Sequence, residues 1–309
     1  MSEPLHVALP LGIGDCHWVC TKLRALSARH GGREVWAHVN RSPWHASVGY
    51  LDLVPAVARA VEDTGAPWNL GRDLAPSHRD PRWSELDGCR GWKGFDYVLV
   101  ANGHLESGGS LESWLPDLET DFSYPLLIPE AARARTRDLA PAGGVLVYLS
   151  GTMPNRGFHN DTWTAEMWVQ VVELLNAAGV VPTLVGAPTP DDLAYRDGFA
   201  ARALGRARFV DRVGQTSIPE ICALIEQAGA WVGLNSGLGI VAAMRGVPTV
   251  MLWSDSNYPI AGAAEPLHTA MSHSWLRLEQ LARYRTLSLG SPGLVPTRVA
   301  ACTLEVLRG

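Results

Sequence analysis

Cysteine is scarce and scattered in this chain. The five cysteines, at 16, 20, 89, 222 and 302, are odd in number and form no CxxC pair. That pattern argues against a disulfide framework and a structural zinc site, and it fits a reducing, cytoplasmic setting. Long apolar runs are also lacking, so no transmembrane span and no stable membrane insertion are expected. The N-terminus shows no basic stretch followed by an apolar one, so no signal peptide is expected. Neither sign of charge dominates. The net charge of −5 weighs against a broad nonspecific nucleic-acid surface, though it leaves room for a local basic groove.

What is present is an ordinary globular composition, 47% apolar and 18% charged over 309 residues. That length allows two domains of about 150 residues each. The most informative stretch is Trp231 to Trp253, which reads as strand, glycine loop, short helix, turn and strand. Its loop Asn235-Ser236-Gly237-Leu238-Gly239 opens a helix. Unpaired N–H groups and the positive end of the helix dipole suit that place to an anion, most often a phosphate. A matching loop, Gly12-Ile13-Gly14-Asp15, follows the first predicted strand. Two strand–glycine–helix units suggest two nucleotide-fold domains facing one cleft.

Apolar periodicity gives the rest. The first half reads as a strand at 5–9, a helix at 16–30, a strand at 34–39, a turn with a short helix over 50–62, loops over 64–93 and a strand at 95–101. A helix at 112–117 and a charged helix around 129–138 follow. Ala142-Gly143-Gly144 marks the expected domain boundary, giving domains 1–143 and 144–292. The second half alternates strands (145–149, 180–185, 208–210, 230–234, 248–253) with helices (164–178, 191–203, 217–228, 238–245). That alternation predicts an α/β fold with parallel sheets covered on both faces. A final amphipathic helix in 293–309 is expected to cross back onto the first domain.

Three segments resemble glycosyltransferase family 9, whose best-known members are the ADP-heptose lipopolysaccharide heptosyltransferases. They are Gly12-Ile-Gly-Asp15 with the helix ending Leu23-Arg-Ala-Leu26; Leu149-Ser-Gly-Thr-Met-Pro-Asn-Arg156 leading to Trp163; and Thr216 to Ile225 followed by Asn235-Ser-Gly237. The resemblance implies the GT-B architecture, two Rossmann-like domains with a cleft between them, and a glycosyltransferase of hexosyl or heptosyl type. Two departures stand out. Family members usually carry Asp where this chain has Asn235, with a His shortly after, and none follows here. They also tend to place a Lys near the tryptophan of the second segment, where this chain offers Arg156 or His159.

Glycosyl transfer to a hydroxyl needs a base near the attacking oxygen and positive charge near the leaving diphosphate. Asp15, at the carboxyl end of the first strand, suits a helix N-cap when read alone, and the resemblance makes it the base. His17 and His104 are further catalytic candidates, each also readable as an ordinary polar residue of a helix start or a turn. On the donor side stand Gly14, Ser150, Gly151, Thr152, Arg156, Asp192, Thr216, Asn235, Ser236, Gly237, Leu238 and Gly239. Arg156 could neutralise diphosphate charge or be a solvated surface residue. Asp192 could bind ribose or simply favour its helix dipole. Ser217 with Glu220 fits a capping box. No Asp-x-Asp occurs, so no metal is expected, and no cofactor beyond a nucleotide-diphosphate sugar as co-substrate. The acceptor stays open among a glycan or lipid, a hydroxymethylated DNA base and a small metabolite; the Arg- and Trp-rich segment 68–93 could grip a phosphate-bearing polymer or be a solvated loop. The other reading is a non-catalytic nucleotide-sugar binding protein on a GT-B scaffold. Oligomeric state is not indicated.

Overall fold

The computed structural model describes residues 2–40, 47–63, 94–101, 104–105, 108–149, 163–253, 274–288 and 294–309. The chain divides into two compact units, one of Met1–Leu127 with His273–Trp275 and the other of Ile128–Ser272 with Leu276–Gly309.

In the first unit β1 (Leu5–Ala8) leads through a short loop into α1 (Ile13–Arg29), then β2 (Val35–Asn40), α2 (Ser47–Leu51), β3 (Arg59–Asp63) and β4 (Tyr97–Val98). The four strands are all parallel, in the order β3-β2-β1-β4. Leu5, Val7, Leu23, Leu26, Val35, Ala37 and Val98 are buried, so β1 is the centre of this core. The strand β3 falls where the sequence suggested a turn and helix. It is an edge strand with exposed Arg59 and Glu62, and Arg59 lies over the Trp36 ring at 4.7 Å. A polar edge strand carries little of the alternation that marks a half-buried one.

The helix expected at 112–117 is replaced by turns. Pro116 disfavours the helical conformation at Leu115, which takes φ 47° instead. The carbonyls of this segment face α1, where the fully buried Lys22 donates from Nζ to Leu118 O at 2.7 Å. Burial lowers the Lys22 pKa, and nearby Glu112 opposes that shift. Residues 274–275 also belong here: Leu111 N–H donates to Ser274 O at 3.0 Å, and the Trp275 ring packs on Trp18.

The second unit continues with α3 (Glu130–Thr136), β5 (Val145–Tyr148), α4 (Ala165–Ala177), β6 (Thr183–Val185), α5 (Pro190–Ala203) and β7 (Val210–Asp211). Then come α6 (Ile218–Gln227), β8 (Ala230–Leu234), α7 (Gly237–Met244), β9 (Thr249–Trp253), α8 (Leu278–Leu281), β10 (Tyr284–Ser288) and α9 (Pro296–Arg308). Its six parallel strands lie in the order β10-β9-β8-β5-β6-β7. Numbered from β5, that is the 3-2-1-4-5-6 order of a Rossmann sheet. Every residue of β5, β8 and β9 is buried, as expected for strands covered on both faces.

Two expectations need correction. The division falls at 127/128, not at the glycines 143–144. Helix α3 is tied to α6, because Arg133 pairs with Glu226, Arg135 pairs with Glu220 at 3.0 Å, and Gln227 donates to Thr136 O. Ala140 enters the core with Ile221 and Leu224. The last helix, α9, is part of the second unit. Val299, Ala300 and Val306 pack with Trp168, Val172 and Leu175 of α4, and Arg285 of β10 pairs with Glu305. The apolar stripe legible in the sequence is real, but its partner is the second unit's own core. Among the described residues no helix is long and apolar enough to cross a membrane. Cys16, Cys20, Cys222 and Cys302 are unbridged.

The predicted capping box is present: Glu220 accepts from Ser217 N–H at 2.7 Å and from its hydroxyl at 2.9 Å. The Ser217 amide, more than Arg135, holds the Glu220 carboxyl below its ordinary range. A depressed pKa gives stability that is present above the unfolded value and lost as pH falls through the folded one. Glu220→Gln is expected to cost about 1 kcal/mol at pH 7, with the gap to wild type closing below about pH 4. Urea unfolding at several pH values checks this, and a pH-independent gap would show that the carboxylate's charge is immaterial.

Candidate functional site

In open parallel sheets ligands gather beyond the carboxyl ends of the strands, where strand order reverses. In the first unit that point lies between β1 and β4, and in the second between β5 and β8. The described chain beyond those ends runs through Pro10–Asp15 and Leu99–Ala101 in the first, and through Leu149 and Asn235–Gly239 in the second.

The loop after β1 is held by its carbonyls. Pro10 O accepts from the Cys16 thiol at 3.1 Å, Gly12 O accepts from Cys16 N–H at 2.8 Å, and Leu11 O accepts from the Ser47 hydroxyl. Burial, then neighbouring Cys20 and Asp15, push the Cys16 thiol well above its ordinary value, so it stays protonated. The N-cap of α1 is Gly12, and Asp15 is the third helical residue, half-buried at the mouth of the loop. The simple N-cap reading of Asp15 therefore does not apply. Its carboxylate folds back over Gly12, where a β-carbon would lie 2.5 Å from Asp15 Oδ2. Gly14 is buried inside the first turn.

His17 belongs to the interior, which corrects its reading as a catalytic candidate. It is 1% exposed. Its Nδ1 meets the hydroxyls of Tyr50 and Tyr124, which lie 2.8 Å from each other. These are the interactions of a buried polar cluster that fixes α1 against α2 and residue 124. His104 sits at the switch point, half-buried, with Nε2 2.9 Å from Ser113 Oγ. Ser110 N–H also donates to Ser113 Oγ at 2.8 Å, so the hydroxyl that meets the imidazole is itself oriented. The ring lies against Gly109, where a β-carbon would come within 2.5 Å of its Cδ2. These glycine clearances were not visible in the sequence, since a turn signature does not show which side chain occupies the space a β-carbon would fill.

In the second unit Asn235 N–H donates to Leu252 O at 2.9 Å, continuing the β8–β9 ladder to the loop. Ser236 is the N-cap of α7, its hydroxyl accepting from Gly239 N–H at 3.2 Å. Ile240 N–H reaches back to Ser236 O. By helix geometry the amides of Gly237 and Leu238 have no intrahelical acceptor, and both residues are partly exposed. Gly239 requires a correction: it is buried and capped, and its missing side chain serves packing. A β-carbon there would lie 2.7 Å from Met251 Cε and 3.1 Å from Trp231 Nε1. The anion-suited donors are therefore those of Gly237 and Leu238.

Asp192 is also corrected. It is 2% exposed, in the first turn of α5, and its N–H donates to the Thr189 N-cap hydroxyl. It is placed as a dipole-favoured carboxylate rather than as a ribose contact. Thr216 is half-buried, just before the Ser217 cap. Ser150, Gly151, Thr152, Arg156, His159, Asn102, Gly103, Glu106 and the segment 68–93 lie outside the described residues. Among the described residues no group of three His, Cys, Asp or Glu side chains is placed to hold a metal.

Two parallel sheets of this kind, the second in Rossmann order with a glycine-opened helix at its switch point, define a GT-B type of nucleotide-fold protein. The chain belongs to glycosyltransferase family 9 (heptosyltransferase), whose model matches residues 111–287. It is similar to lipopolysaccharide heptosyltransferase 3 of Escherichia coli (strain K12), 29% identical over 96 residues, a match covering 31% of this chain and 28% of that protein's length. Over the whole length the fold is similar to a family 9 glycosyl transferase from Veillonella parvula DSM 2008, with a TM-score of 0.65 and 13% identity, covering 99% of this chain and 97% of the other. It is similar also to the E. coli ADP-heptose LPS heptosyltransferase II, with a TM-score of 0.63 and 19% identity, covering 99% of both chains.

Gly239→Ala tests the packing role. Met251 is fully buried, so its methyl has no solvent to move into. The substitution should lower unfolding free energy by about 1–2 kcal/mol, against the helix propensity gain of Ala. Denaturant unfolding checks it, and an unchanged or raised stability would mean that α7 sits on β8 and β9 with room to spare.

Proposed function

We propose that this chain is an inverting, metal-independent glycosyltransferase that moves a sugar from a nucleoside-diphosphate donor to an acceptor hydroxyl. The observation that carries this reading is the pair of chemically different switch points: a carboxylate over a glycine turn in the first unit, and a half-exposed helix N-terminus in the second. Asp15 takes the acceptor's O–H proton as its oxygen attacks the anomeric carbon. The bond from that carbon to the diphosphate oxygen breaks, and the nucleoside diphosphate leaves with the electron pair. The amides of Gly237 and Leu238, with Arg156 from the sequence, stabilise charge as it builds on the leaving group. Family membership and the named neighbours make ADP-heptose the first donor to test. Asn235, where the family usually carries Asp, favours a second reading, a nucleotide-sugar binding protein that does not turn over.

The base is tested by Asp15→Asn, assayed in EDTA with ADP-heptose and candidate acceptors. Turnover should fall by roughly 100- to 10,000-fold while donor affinity is kept. Wild-type turnover in the variant would move the base elsewhere, with His104 next. Activity lost in EDTA and restored by a divalent ion would overturn metal independence. Donor binding with no turnover for any acceptor favours the second reading.

The diphosphate site is tested by Gly237→Asp. Gly237 opens α7 with an ordinary helical backbone, so a side chain there adds charge without conformational strain. Affinity for ADP by calorimetry should fall at least about tenfold. An unchanged affinity on the folded variant would place the donor away from this loop.

A further inference from the structure

Gly12 adopts φ −77° and ψ 140°, an extended conformation open to every amino acid. Its backbone therefore gives no reason for glycine. The reason is next to it: a β-carbon at this position would lie 2.5 Å from Asp15 Oδ2, 3.2 Å from Cγ and 3.8 Å from Cβ. The first of these is well inside van der Waals contact. We infer that Gly12 is a positioning residue for the Asp15 carboxylate, its missing side chain being the space into which that carboxylate folds. The inference deepens the reading of Asp15 as the base and rests on it for its functional meaning.

Three tethers decide which partner would yield. Pro10 O is held by the Cys16 thiol, Leu11 O by the buried Ser47 hydroxyl, and Gly12 O by Cys16 N–H. Leu9 N–H is fixed in turn to His38 O at 2.9 Å. The loop backbone is thus tied at consecutive residues to α1, α2 and β2. The Asp15 carboxylate ends a side chain of two rotatable bonds, which can turn without moving the backbone. A methyl group at position 12 displaces the carboxylate and leaves the turn in place. An alanine in an extended conformation also narrows the unfolded ensemble, which favours stability. Fold and carboxylate geometry therefore respond in opposite directions, which a merely structural glycine would not produce.

The test uses the full-length protein with ¹³C-labelled aspartate, the Asp15 carboxyl signal being assigned by its loss in Asp15→Asn. In Gly12→Ala the melting temperature should match or exceed wild type, while the Asp15 carboxyl signal moves. An unmoved signal overturns the inference, whatever the activity. A melting temperature lowered by more than a few degrees also overturns it, because the turn rather than the carboxylate would have given way. With ADP-heptose and a working acceptor, Gly12→Ala should lower kcat roughly 10- to 100-fold with KM for the donor unchanged, and it should have no further effect on an Asp15→Ala background. If Asp15→Asn keeps wild-type turnover, the base reading fails, while the moved NMR signal still establishes the clearance. If Asp15→Asn is inactive and Gly12→Ala keeps full kcat, the base stands and Gly12 does not position it.

Discussion

Parallel strand pairing governs this molecule. A parallel strand cannot return through a tight turn, so each connection must cross a face of the sheet, usually as a helix. All strand ends of one polarity then gather at one edge, together with the N-termini of the helices that follow. In the first sheet this edge brings the ends of β1 and β4 side by side, Asp15 following the one and His104 the other in the chain. In the second it sets the Asn235 loop beside the end of β5. No side-chain interaction creates these neighbourhoods. Side chains only select what each one does: a carboxylate and an imidazole in one, bare amides in the other.

Much of the second unit was legible because buried parallel strands have no solvent side. Val145–Tyr148, Ala230–Leu234 and Thr249–Trp253 read as unbroken apolar runs, and the helices between them carry clear caps at Thr164, Thr189, Ser217 and Ser236. The strands β3 and β10 were hidden by their polar edge positions, β10 carrying Arg285, Thr286 and Ser288. The false helix at 112–117 came from apolar spacing that overlooked Pro116. The misplaced boundary has a different origin. Arg133 and Arg135 look like a solvated charged face until Glu226 and Glu220, on a helix far along the chain, are brought to them by the fold.

The candidate site was legible in its residue types and less so in their environments. Asp15 and Ser236 were marked by glycine turns after strands, which sequence displays directly. His17 was not separable from a functional histidine, because its burial depends on Tyr50 and Tyr124, 33 and 107 positions away. Gly237 and Gly239 look alike on paper. They part company only when Met251 and Trp231 are seen beneath the second. What a glycine is for depends on what occupies the space its side chain would fill, and local sequence does not hold that information.

The strap of residues 274–275 has a consequence for how the chain comes to be made. Trp275 is fully buried against Trp18 of the first unit, and Ser274 supplies the acceptor for Leu111 N–H. A nascent chain emerging N-terminus first holds β1 to β4 long before it holds these residues. Until the strap arrives, Trp18 lacks its covering ring and Leu111 its carbonyl. The first unit is therefore finished late, after residues 128–272 of the second unit have been made. Completion of the first unit is thereby tied to the synthesis of the second.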